Sequence, residues 1–525
     1  MIKNIYEMFR DACTTNAART FFVRTGETYA DLLRDVQKRA VTLVNKFKIK
    51  KGDVVAILSA NTPEFIKSYF AITATGAQCL MLDTGLSAGE HLNMMKHTKC
   101  KLACAQKSYF VDGGPKMFDI ETIDDTNPDD FIAADCDLTD IAMLSFTSGS
   151  TGNPKIVGLT HGNIVSLADG AKFYKPVIKN GYMFYGFLPL YHIYGVVINI
   201  IAPIALNCSL LLQQILNPKE FLKDFEQYKP HVIPAVPRIW ETFYKKIIDG
   251  LKQKRVYWLM RTIIACRGVL RWAGLGFVYD RAMKPIHKIF GGRVRVLISA
   301  GATLKPRVRK FFESLDFSVG DCYGLTETTG PANFNFAFRQ ANGKMYYAGP
   351  LKGNEIKIHN PDNDGIGEIW VRGSLVMPGY VGNDTANKEA FSSDGWFMTG
   401  DLGMFDNKKR LVVKGRKKQV IVLDSGKNVY PDELEDLYLT NDEILSAAVL
   451  ERVINGKVVP FGVFQVKPGT TSAQVAMLLK MSNLTIAPYK WVSHFAITEN
   501  ELPQTSAKKI KHHEIAKMLD NGELK

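Results

Sequence analysis

The chain has 525 residues, too many for one domain of ~100–200 residues, and its 46% hydrophobic and 22% charged residues are ordinary for a globular protein. No low-complexity tract interrupts it, the first seven residues lack the apolar core of a secretory signal, and the eight cysteines are scattered. We therefore expect a reduced, cytoplasmic protein of several domains. The net charge of +14 favours an anionic partner: a nucleotide, coenzyme A, nucleic acid or anionic lipid.

Helix and strand patterns alternate through residues 1–140. An amphipathic helix is predicted from Thr28 past Leu43, a buried strand over residues 53–58, and the next helix from Pro63. Strands that alternate with helices usually pair in parallel. The sequence therefore predicts an α/β fold with a parallel sheet.

A loop rich in Ser, Thr and Gly follows an apolar run at residues 141–146 that predicts a buried strand. Because Thr160 fits an N-cap, we predict a strand, this loop and then a helix. Glycines let backbone N–H groups turn inward as an anion-binding nest, and hydroxyls and a lysine add donors. The loop is predicted to bind phosphate oxygens through Thr147, Ser148, Gly149, Ser150, Thr151, Gly152 and Lys155. It is not a P-loop, because Pro154 precedes the lysine and Ile156 follows it.

Residues 181–212 are strongly apolar and hold no charge, and this length would suffice to span a membrane. Pro189 and Pro203 interrupt the run, and His192 lies inside it. We therefore interpret the segment as buried core rather than as a membrane span. By itself, His192 would be interpreted as a core histidine with a satisfied hydrogen bond.

Residues 251–295 combine eleven basic residues and one acid, Asp280, with Trp258, Trp272 and other large apolar residues at helical spacing. One interpretation is an interfacial helix on an anionic membrane. The other is a charged surface on two helices that pack against the core. The segment lacks a recognition motif for nucleic acid, which disfavours that partner.

A strand at residues 294–299 ends in a loop of small residues at Gly301 and Ala302, where a flat ring can lie against backbone. The motif Y-G-x-T-E follows at residues 323–327. Tyr323 can stack on a base, Thr326 can donate to an α-phosphate, and Glu327 can hold Mg²⁺ as a hard oxygen ligand.

These motifs, T-S-G-S-T-G-x-P-K at 147–155, L-P-L-x-H-x-x-G at 188–195 and Y-G-x-T-E, resemble those of the adenylate-forming enzymes, and within them the fatty acyl-CoA synthetases. The resemblance runs along almost the whole chain. It implies that Lys155, His192, Thr326, Glu327 and Lys509 are catalytic. It further implies nucleotide or CoA contacts from the phosphate loop and from Gly301, Ala302, Asp321, Tyr323, Asp401, Arg416, Lys418 and Gly426.

The resemblance also implies a domain plan. A large N-terminal domain of mixed and parallel sheets packed with helices, with a β-subdomain, would cover residues 1–414. A hinge would lie at 415–418, with Lys418 at the turning position, and a small mobile α+β domain would cover 419–525. The pattern P-x-T-x-x-G-K aligns on Pro503 and Thr505 and favours Lys509 over Lys508 as the catalytic lysine. His512 and His513 are expected on a solvated helix face.

The activity implied by the resemblance uses ATP, Mg²⁺ and coenzyme A to turn a carboxylic acid, such as a medium- or long-chain fatty acid, into acyl-AMP and then acyl-CoA. Transfer to an acyl carrier protein stays open as an alternative acceptor. A non-catalytic homologue would have lost Lys155, Glu327, Asp401 or Lys509, all of which are present. Peripheral contact with the inner face of a membrane also stays open.

Overall fold

A computed structural model describes residues 2–147, 155–214, 218–339, 345–347, 349–425, 427–504 and 510–524. Seventeen helices are assigned within these ranges. They are α1 Ile5–Thr15, α2 Tyr29–Asn45, α3 Pro63–Ala74, α4 Ala88–His97, α5 His161–Lys172, α6 Ile193–Gly195, α7 Ala202–Leu206, α8 Pro218–Tyr228, α9 Pro237–Gln253, α10 Tyr257–Ala265, α11 Arg267–Trp272, α12 Gly276–Ile289, α13 Pro306–Ser314, α14 Asp384–Ala390, α15 Pro431–Tyr438, α16 Ser472–Asn483 and α17 His512–Asp520.

Twenty-two strands are assigned within the same ranges. They are β1 Val54–Leu58, β2 Gln78–Met81, β3 Leu102–Ala105, β4 Lys116–Asp119, β5 Ile141–Thr147, β6 Lys155–Thr160, β7 Met183–Gly186, β8 Ser209–Leu212, β9 Val232–Ala235, β10 Val296–Ser299, β11 Ser318–Leu325, β12 Gly330–Arg339, β13 Met345–Tyr347, β14 Asn354–His359, β15 Gly367–Gly373, β16 Phe397–Phe405, β17 Leu411–Arg416, β18 Ile421–Val422, β19 Asn428–Val429, β20 Ile444–Ile454, β21 Lys457–Val466 and β22 His494–Thr498.

The first large sheet has the order β4-β3-β1-β2-β5-β6, and every neighbouring pair is parallel except β5 and β6. All five residues of β1 are buried, as is typical of a parallel strand covered on both faces. The predicted strand at 53–58 and the helix starts at Thr28 and Pro63 are confirmed. Thr28 caps α2 in a capping box with Asp31, and Thr62 caps α3.

The second large sheet has the order β13-β12-β11-β10-β9-β7-β8. Strands β8, β7, β9, β10 and β11 are mutually parallel, and β12 then runs antiparallel to β11. The carboxyl ends of five strands therefore meet at one edge, the place where open α/β sheets bind ligands. The predicted α/β class of mixed and parallel sheets is confirmed.

The chain divides into two compact units. One comprises Met1–Ile356 and Val371–Phe397, and the other comprises Lys357–Trp370 and Met398–Lys525. The four-stranded sheet β14-β15-β16-β17 has most of its residues in the second unit, which also holds the pair β18-β19 and the sheet β20-β21-β22. Helices α15, α16 and α17 complete a small α+β unit. A hinge at residues 415–418 stays a prediction.

The apolar run at residues 181–212 folds as β7, α6, a π-helix at Val196–Ile201, α7 and β8. All six residues of the π-helix are buried. Within the described ranges, no helix is both long and apolar enough to cross a bilayer. The interpretation of this run as buried core is confirmed.

The basic segment forms α10, α11 and α12; the interpretation that its helices pack against the core is met by α12, and contact with a membrane stays a prediction. Tyr279, Met283 and Ile286 of α12 are buried against the core. Other large apolar side chains of the segment face solvent, and Trp258 is 71% exposed and Trp272 88% exposed. We call the exposed side chains of these three helices, with their basic residues, the α10–α12 surface.

Candidate active site

The predicted phosphate loop connects two antiparallel strands. Thr147 at the end of β5 pairs with Lys155 at the start of β6, and Phe146 pairs with Ile156. The prediction that the loop leads directly to a helix was wrong, because residues 155–160 first form a strand. The helix α5 then begins as predicted after Thr160, which caps it in a reciprocal pair with Asn163. The hairpin fixes both ends of the loop.

Tyr380 links the phosphate-loop strand to the predicted metal ligand. Its hydroxyl donates to Oε1 of Glu327 at 3.0 Å, and Nζ of Lys155 lies 4.8 Å from the centre of its ring. The backbone N–H of Met377 also donates to the carbonyl oxygen of Glu327 at 2.8 Å, and that of Val381 donates to Ile156. Lys155, Tyr380 and Glu327 therefore form one cluster, with the lysine placed for a cation–π contact.

The turn that carries Thr326 and Glu327 is a single 3₁₀ turn, Thr326–Thr328. The Thr328 hydroxyl accepts from the N–H of Leu325 at 2.9 Å and donates to the carbonyl of Gly330 at 2.8 Å. Gly324 is required beside it, since a Cβ there would lie 1.8 Å from the carbonyl oxygen of Gly330. These contacts hold Thr326 and Glu327 in a fixed orientation.

The elements predicted to bind adenine lie on neighbouring parallel strands. Ser299 at the end of β10 pairs in register with Asp321 of β11, so the loop with Gly301 and Ala302 emerges beside Tyr323. Gly301 has a φ of +91°, which favours glycine, and Gly301 and Ala302 are exposed. An exposed, small-residue backbone beside a half-buried tyrosine fits a planar base.

His192 lies in the connection after β7 and immediately precedes α6. Its ring centre is 4.6 Å from that of Tyr191, and the side chain is half-buried. The nearby Tyr194 hydroxyl donates to the carbonyl of Ala235 at 3.3 Å, and burial raises the pKa of that hydroxyl, so it stays protonated. Tyr194 thereby joins the His192 segment to the carboxyl end of β9.

The π-helix packs against the end of the turn that carries Glu327. A Cβ added to Gly330 would lie 2.7 Å from Cγ2 of Val197, so the absence of a side chain permits this contact. Val196 and Val197 are buried. Buried apolar side chains of the π-helix thus lie beside Gly330, two residues after the Thr326–Thr328 turn.

In the second unit, Asp401 of β16 pairs in register with Arg416 of β17. Nε of Arg416 lies 2.7 Å from Oδ1 of Asp401, whose residue is 5% exposed overall. Lys418 lies in the 3₁₀ turn Lys417–Gln419 and is exposed. The structure therefore brings Asp401 and Arg416 together, with Lys418 two residues beyond.

Seven predicted site residues lie outside the described ranges. They are Ser148, Gly149, Ser150, Thr151, Gly152, Gly426 and Lys509. Their roles stay predictions, as do those of the described site residues.

The available side-chain donors fit a magnesium ion that binds together with the phosphates of a nucleotide. Among the described residues, no group of three or more His, Cys, Asp and Glu side chains could hold a metal. Mg²⁺ is commonly bound by one or two carboxylates together with substrate phosphates. The half-buried carboxylate of Glu327, near the phosphate-loop strand, fits that pattern.

Tyr380 is the residue that sequence reasoning missed. Its segment, Met377-Pro378-Gly379-Tyr380, was visible as a short motif, but no role followed from it. The only signal in the sequence was an aromatic residue directly after a Pro-Gly pair.

The carboxyl ends of the parallel strands, with the Thr326–Thr328 turn directly after β11, form the kind of sheet edge at which α/β enzymes bind their ligands. The family model described as AMP-binding enzyme matches residues 9–381. The chain belongs to the AMP-binding enzyme family, and the resemblance seen in the motifs is confirmed.

Similar curated proteins are long-chain-fatty-acid–CoA ligases. FadD15 of Mycobacterium tuberculosis is 31% identical over 468 residues, which cover 82% of this chain and 76% of that protein. The ligase heimdall of Drosophila melanogaster is 31% identical over 314 residues, which cover 56% of this chain and 46% of that protein. The matched part thus spans less than half of some of these relatives.

Solved structures share the fold across nearly the whole chain. The ATP-bound MatB of Rhodopseudomonas palustris has a TM-score of 0.78 and 20% identity, covering 99% of both chains. The o-succinylbenzoate CoA synthetase of Bacillus subtilis, in complex with its acyl-adenylate intermediate, has a TM-score of 0.77 and 21% identity, covering 98% of both chains.

Proposed function

We propose that the protein is an ATP-dependent fatty acid–CoA ligase. The observation that supports this most directly is the cluster in which Tyr380 joins Glu327 to Lys155 of the phosphate-loop strand. ATP, Mg²⁺ and coenzyme A are the cofactors of this activity. The CoA-ligase names of the curated relatives favour coenzyme A over a carrier protein as the acceptor.

The first half-reaction joins the acid to AMP. A carboxylate oxygen attacks the α-phosphorus of ATP, the bond to the bridging oxygen breaks, and pyrophosphate leaves. Because charge builds on phosphate oxygens, catalysis is mainly positioning and electrostatic stabilisation. We assign this to Thr326, Lys155 and Lys509, with Glu327 holding the magnesium ion that offsets phosphate charge.

The second half-reaction transfers the acyl group. The thiolate of coenzyme A attacks the acyl carbon, the mixed anhydride bond breaks, and AMP leaves with both bonding electrons. We assign Asp401 to the ribose hydroxyls, since a carboxylate accepts two hydrogen bonds from a diol, and Arg416 to ribose or phosphate. We propose that residues 415–418 act as the hinge between the two half-reactions.

We propose a medium- or long-chain fatty acid as the substrate. The π-helix holds five buried apolar side chains, of which Val197 lies against Gly330, and one polar residue, Asn199, whose amide donates to the carbonyl of Leu188 at 2.9 Å. No charged side chain occurs between Ile193 and Leu206. An amino or phenolic acid would find no charged partner there, whereas an alkyl chain gains by burial.

The test is pyrophosphate release from ATP across saturated fatty acids of graded length, with and without coenzyme A and with the product weighed by mass spectrometry. We expect acyl-CoA and AMP with a chain-length optimum. Lys509→Ala and Glu327→Gln should each lose ~10²-fold or more of the rate, while Lys508→Ala serves as the matched control. If acyl-AMP accumulates and is not consumed when coenzyme A is added, a carrier protein would be indicated as the acyl acceptor. The absence of product with every fatty acid would refute the assignment.

We propose further that the α10–α12 surface rests on an anionic membrane. Its exposed large apolar residues are Trp258, Leu259, Val269, Trp272, Leu275 and Phe277. Residues 251–295 carry eleven basic side chains against one acid. Indole and alkyl groups enter the headgroup boundary while each nearby Lys or Arg adds ~1 kcal/mol of attraction to anionic lipid.

Two arginines of this surface already have acidic partners. Arg267 and Arg271 both pair with Asp316, and both guanidinium groups lie over the ring of Tyr279. They therefore fix α11 onto the core. Exposed cations such as Arg261 and Lys284 are the ones assigned to lipid contact.

Sedimentation with phosphatidylserine-containing vesicles, compared with phosphatidylcholine alone, tests the membrane contact. Trp272→Ala should weaken binding, and binding should fall as salt rises. Ile132→Ala is the matched control, because Ile132 is equally exposed at 88% but lies among aspartates. Equal binding by both variants, or a Trp272-dependent dimer without lipid, would refute it.

A further inference from the structure

His512 is an enclosed ion-pair residue at the start of α17. Its side chain is 13% exposed, and Nε2 lies 2.6 Å from Oε1 of Glu435, whose side chain is 12% exposed. The same Glu435 oxygen accepts from the N–H of Val449 in β20 at 2.8 Å. The expectation of a solvated helix face was correct for His513, which is exposed, and wrong for His512.

The other ring nitrogen of His512 faces the turn that follows β17. Nε2 of Gln419 lies 3.3 Å from Nδ1, and Gln419 ends the turn Lys417–Gln419. A side-chain amide offers both a donor and an acceptor, so it can serve a neutral or a charged imidazole. The imidazole thus bridges α15 and this turn, which directly follows Arg416.

Backbone contacts also hold the residues just before His512 against residues 503–504. Gln504 and Ile510 form an antiparallel bridge, and the N–H of Lys511 donates to the carbonyl of Pro503 at 3.0 Å. These contacts hold together the two ends that flank residues 505–509. Lys509 is three residues before His512 in the chain.

We propose that His512 is a positioning residue: as an imidazolium paired with Glu435, it fixes the base of the segment that carries Lys509 to α15 and to the turn after β17. This rests on the proposed function, in which Lys509 stabilises the charge on the phosphate. Because the pairing depends on charge, adenylation should depend on the protonation of His512.

The surroundings of His512 favour its charged form. Burial alone would lower its pKa, but the hydrogen bond to Glu435 and the charges of Glu435 and Asp432 raise it above 6.5. The charged or titratable groups on the elements around it are Asp432, Glu433, Glu435, Asp436 and Tyr438 of α15, Lys417 and Lys418 of the turn, Glu451 and Arg452 of β20, and Lys511, His513, Glu514, Lys517 and Asp520 at or in α17. A raised pKa means that the pairing is complete at low pH and is lost as pH rises through the elevated value.

The experiment measures fatty-acid-dependent exchange of pyrophosphate into ATP by the full chain from pH 6 to 9, which isolates the first half-reaction. We expect His512→Gln to lower kcat about 10- to 100-fold with little change in KM for ATP. His512→Arg, which keeps a permanent charge, should retain most of the rate and abolish its decline at high pH. His513→Gln is the matched control and should behave as the wild type.

Lys509→Ala separates this inference from the function on which it rests. If Lys509→Ala abolishes exchange while His512→Gln matches His513→Gln, the positioning role is wrong and the proposed function stands. If Lys509→Ala exchanges normally, the assigned function of that lysine fails, and the inference fails with it. Thermal unfolding shows whether each variant is folded. A loss of rate in both His512→Gln and His512→Arg, with the pH profile of the wild type unchanged, would indicate that His512 has only a structural role and would overturn the proposal.

Discussion

Tyr380 shows how one hydroxyl can connect two functional groups. It donates to the carboxylate of Glu327 and lies under the ammonium of Lys155. A tyrosine ring suits both contacts, because its face attracts cations and its edge carries a donor. The residue therefore orients the carboxylate that we propose to hold magnesium, without itself carrying charge.

Tyr380→Phe should weaken the use of magnesium by the enzyme. The change removes the hydrogen bond to Glu327 and keeps the ring near Lys155, so a bond to a charged group worth ~1.5–3 kcal/mol is lost. We expect the Mg²⁺ concentration for half-maximal adenylation to rise about 10-fold. Tyr29→Phe, which loses a hydrogen bond to the backbone carbonyl of Cys208, is the control and should leave the Mg²⁺ titration unchanged.

Residue types at fixed spacing predicted the phosphate loop, the small-residue loop and the Y-G-x-T-E motif, and the family resemblance added the other candidate site residues. Glu327 and Lys155 were found from their motifs, since a hard carboxylate and a lysine beside glycines are informative in one dimension. The role of Tyr380 was not, because it depends on residues 377–381 folding back along β6 and the turn. His512 was misjudged for the same reason, as its partner Glu435 is 77 residues away.

At the scale of elements, the helix α5 fastens a distant segment to the phosphate-loop hairpin. Asn163 completes the capping box by accepting from the N–H of Thr160 at 2.9 Å. Its amide also donates to the carbonyls of Ser374 and Val376 at 2.8 and 3.0 Å. These carbonyls lie just before Tyr380, so a helix cap contributes to the placement of that residue.

Asn163→Ala should therefore destabilise the protein more than Thr160→Ala. Loss of a cap alone costs ~1 kcal/mol, and each of the two further hydrogen bonds adds ~1 kcal/mol. Thermal unfolding should order the variants as wild type, Thr160→Ala and Asn163→Ala. Thr28→Ala, which breaks the capping box of α2, calibrates the cost of a cap. Equal losses for Asn163 and Thr160 would contradict this account.

The π-helix sets the room available beside the turn of Glu327. Val196→Trp and Val197→Trp should move the preferred fatty acid to shorter chains, because an indole is much larger than either buried valine side chain and, at Val197, would lie against Gly330. Rates across the graded acids measure the shift, and Val197→Ala is the reverse change. An unchanged profile in a folded tryptophan variant would remove this wall from the acyl site.

The strand β6 marks a limit of prediction at this scale. The residues Lys155-Ile156-Val157-Gly158-Leu159-Thr160 were read as the end of a loop before a helix. Their state is decided by pairing with β5, a contact between segments separated by the loop itself. Capping residues act within a few positions, and the starts of α2, α3 and α5 were therefore predictable.

For the whole molecule, alternating patterns predicted an α/β fold and length predicted several domains, whereas the smaller second unit was implied by the family resemblance. They did not predict where compact units divide, since residues 357–370 join the second unit although they precede 371–397 of the first. A chain that leaves a unit and returns to it leaves no mark in composition. The hinge at 415–418 stays a prediction, because the division into compact units describes one conformation and a hinge is defined by movement between two.

Lys418→Pro tests that hinge. Proline fixes φ near −65°, so it would block a domain rotation that needs a different φ at this position. Acyl-AMP formation, which precedes that rotation, would continue. We expect acyl-AMP formation to persist and transfer to coenzyme A to fall about 100-fold, measured separately by pyrophosphate exchange and thioester formation. Lys418→Ala removes the charge alone and should retain both steps. Equal loss of both steps in the proline variant would contradict a hinge at Lys418.

The six tryptophans divide in a way that makes the protein its own fluorescent reporter. Trp240, Trp370 and Trp396 are buried, whereas Trp258 and Trp272 belong to the α10–α12 surface and are more exposed than Trp491. Emission at long wavelength will therefore come mostly from the two indoles of the α10–α12 surface. A blue shift of that emission on adding vesicles, or its quenching by a dye in the vesicle lipid, would therefore show contact of the α10–α12 surface with lipid. The protein itself would need no label.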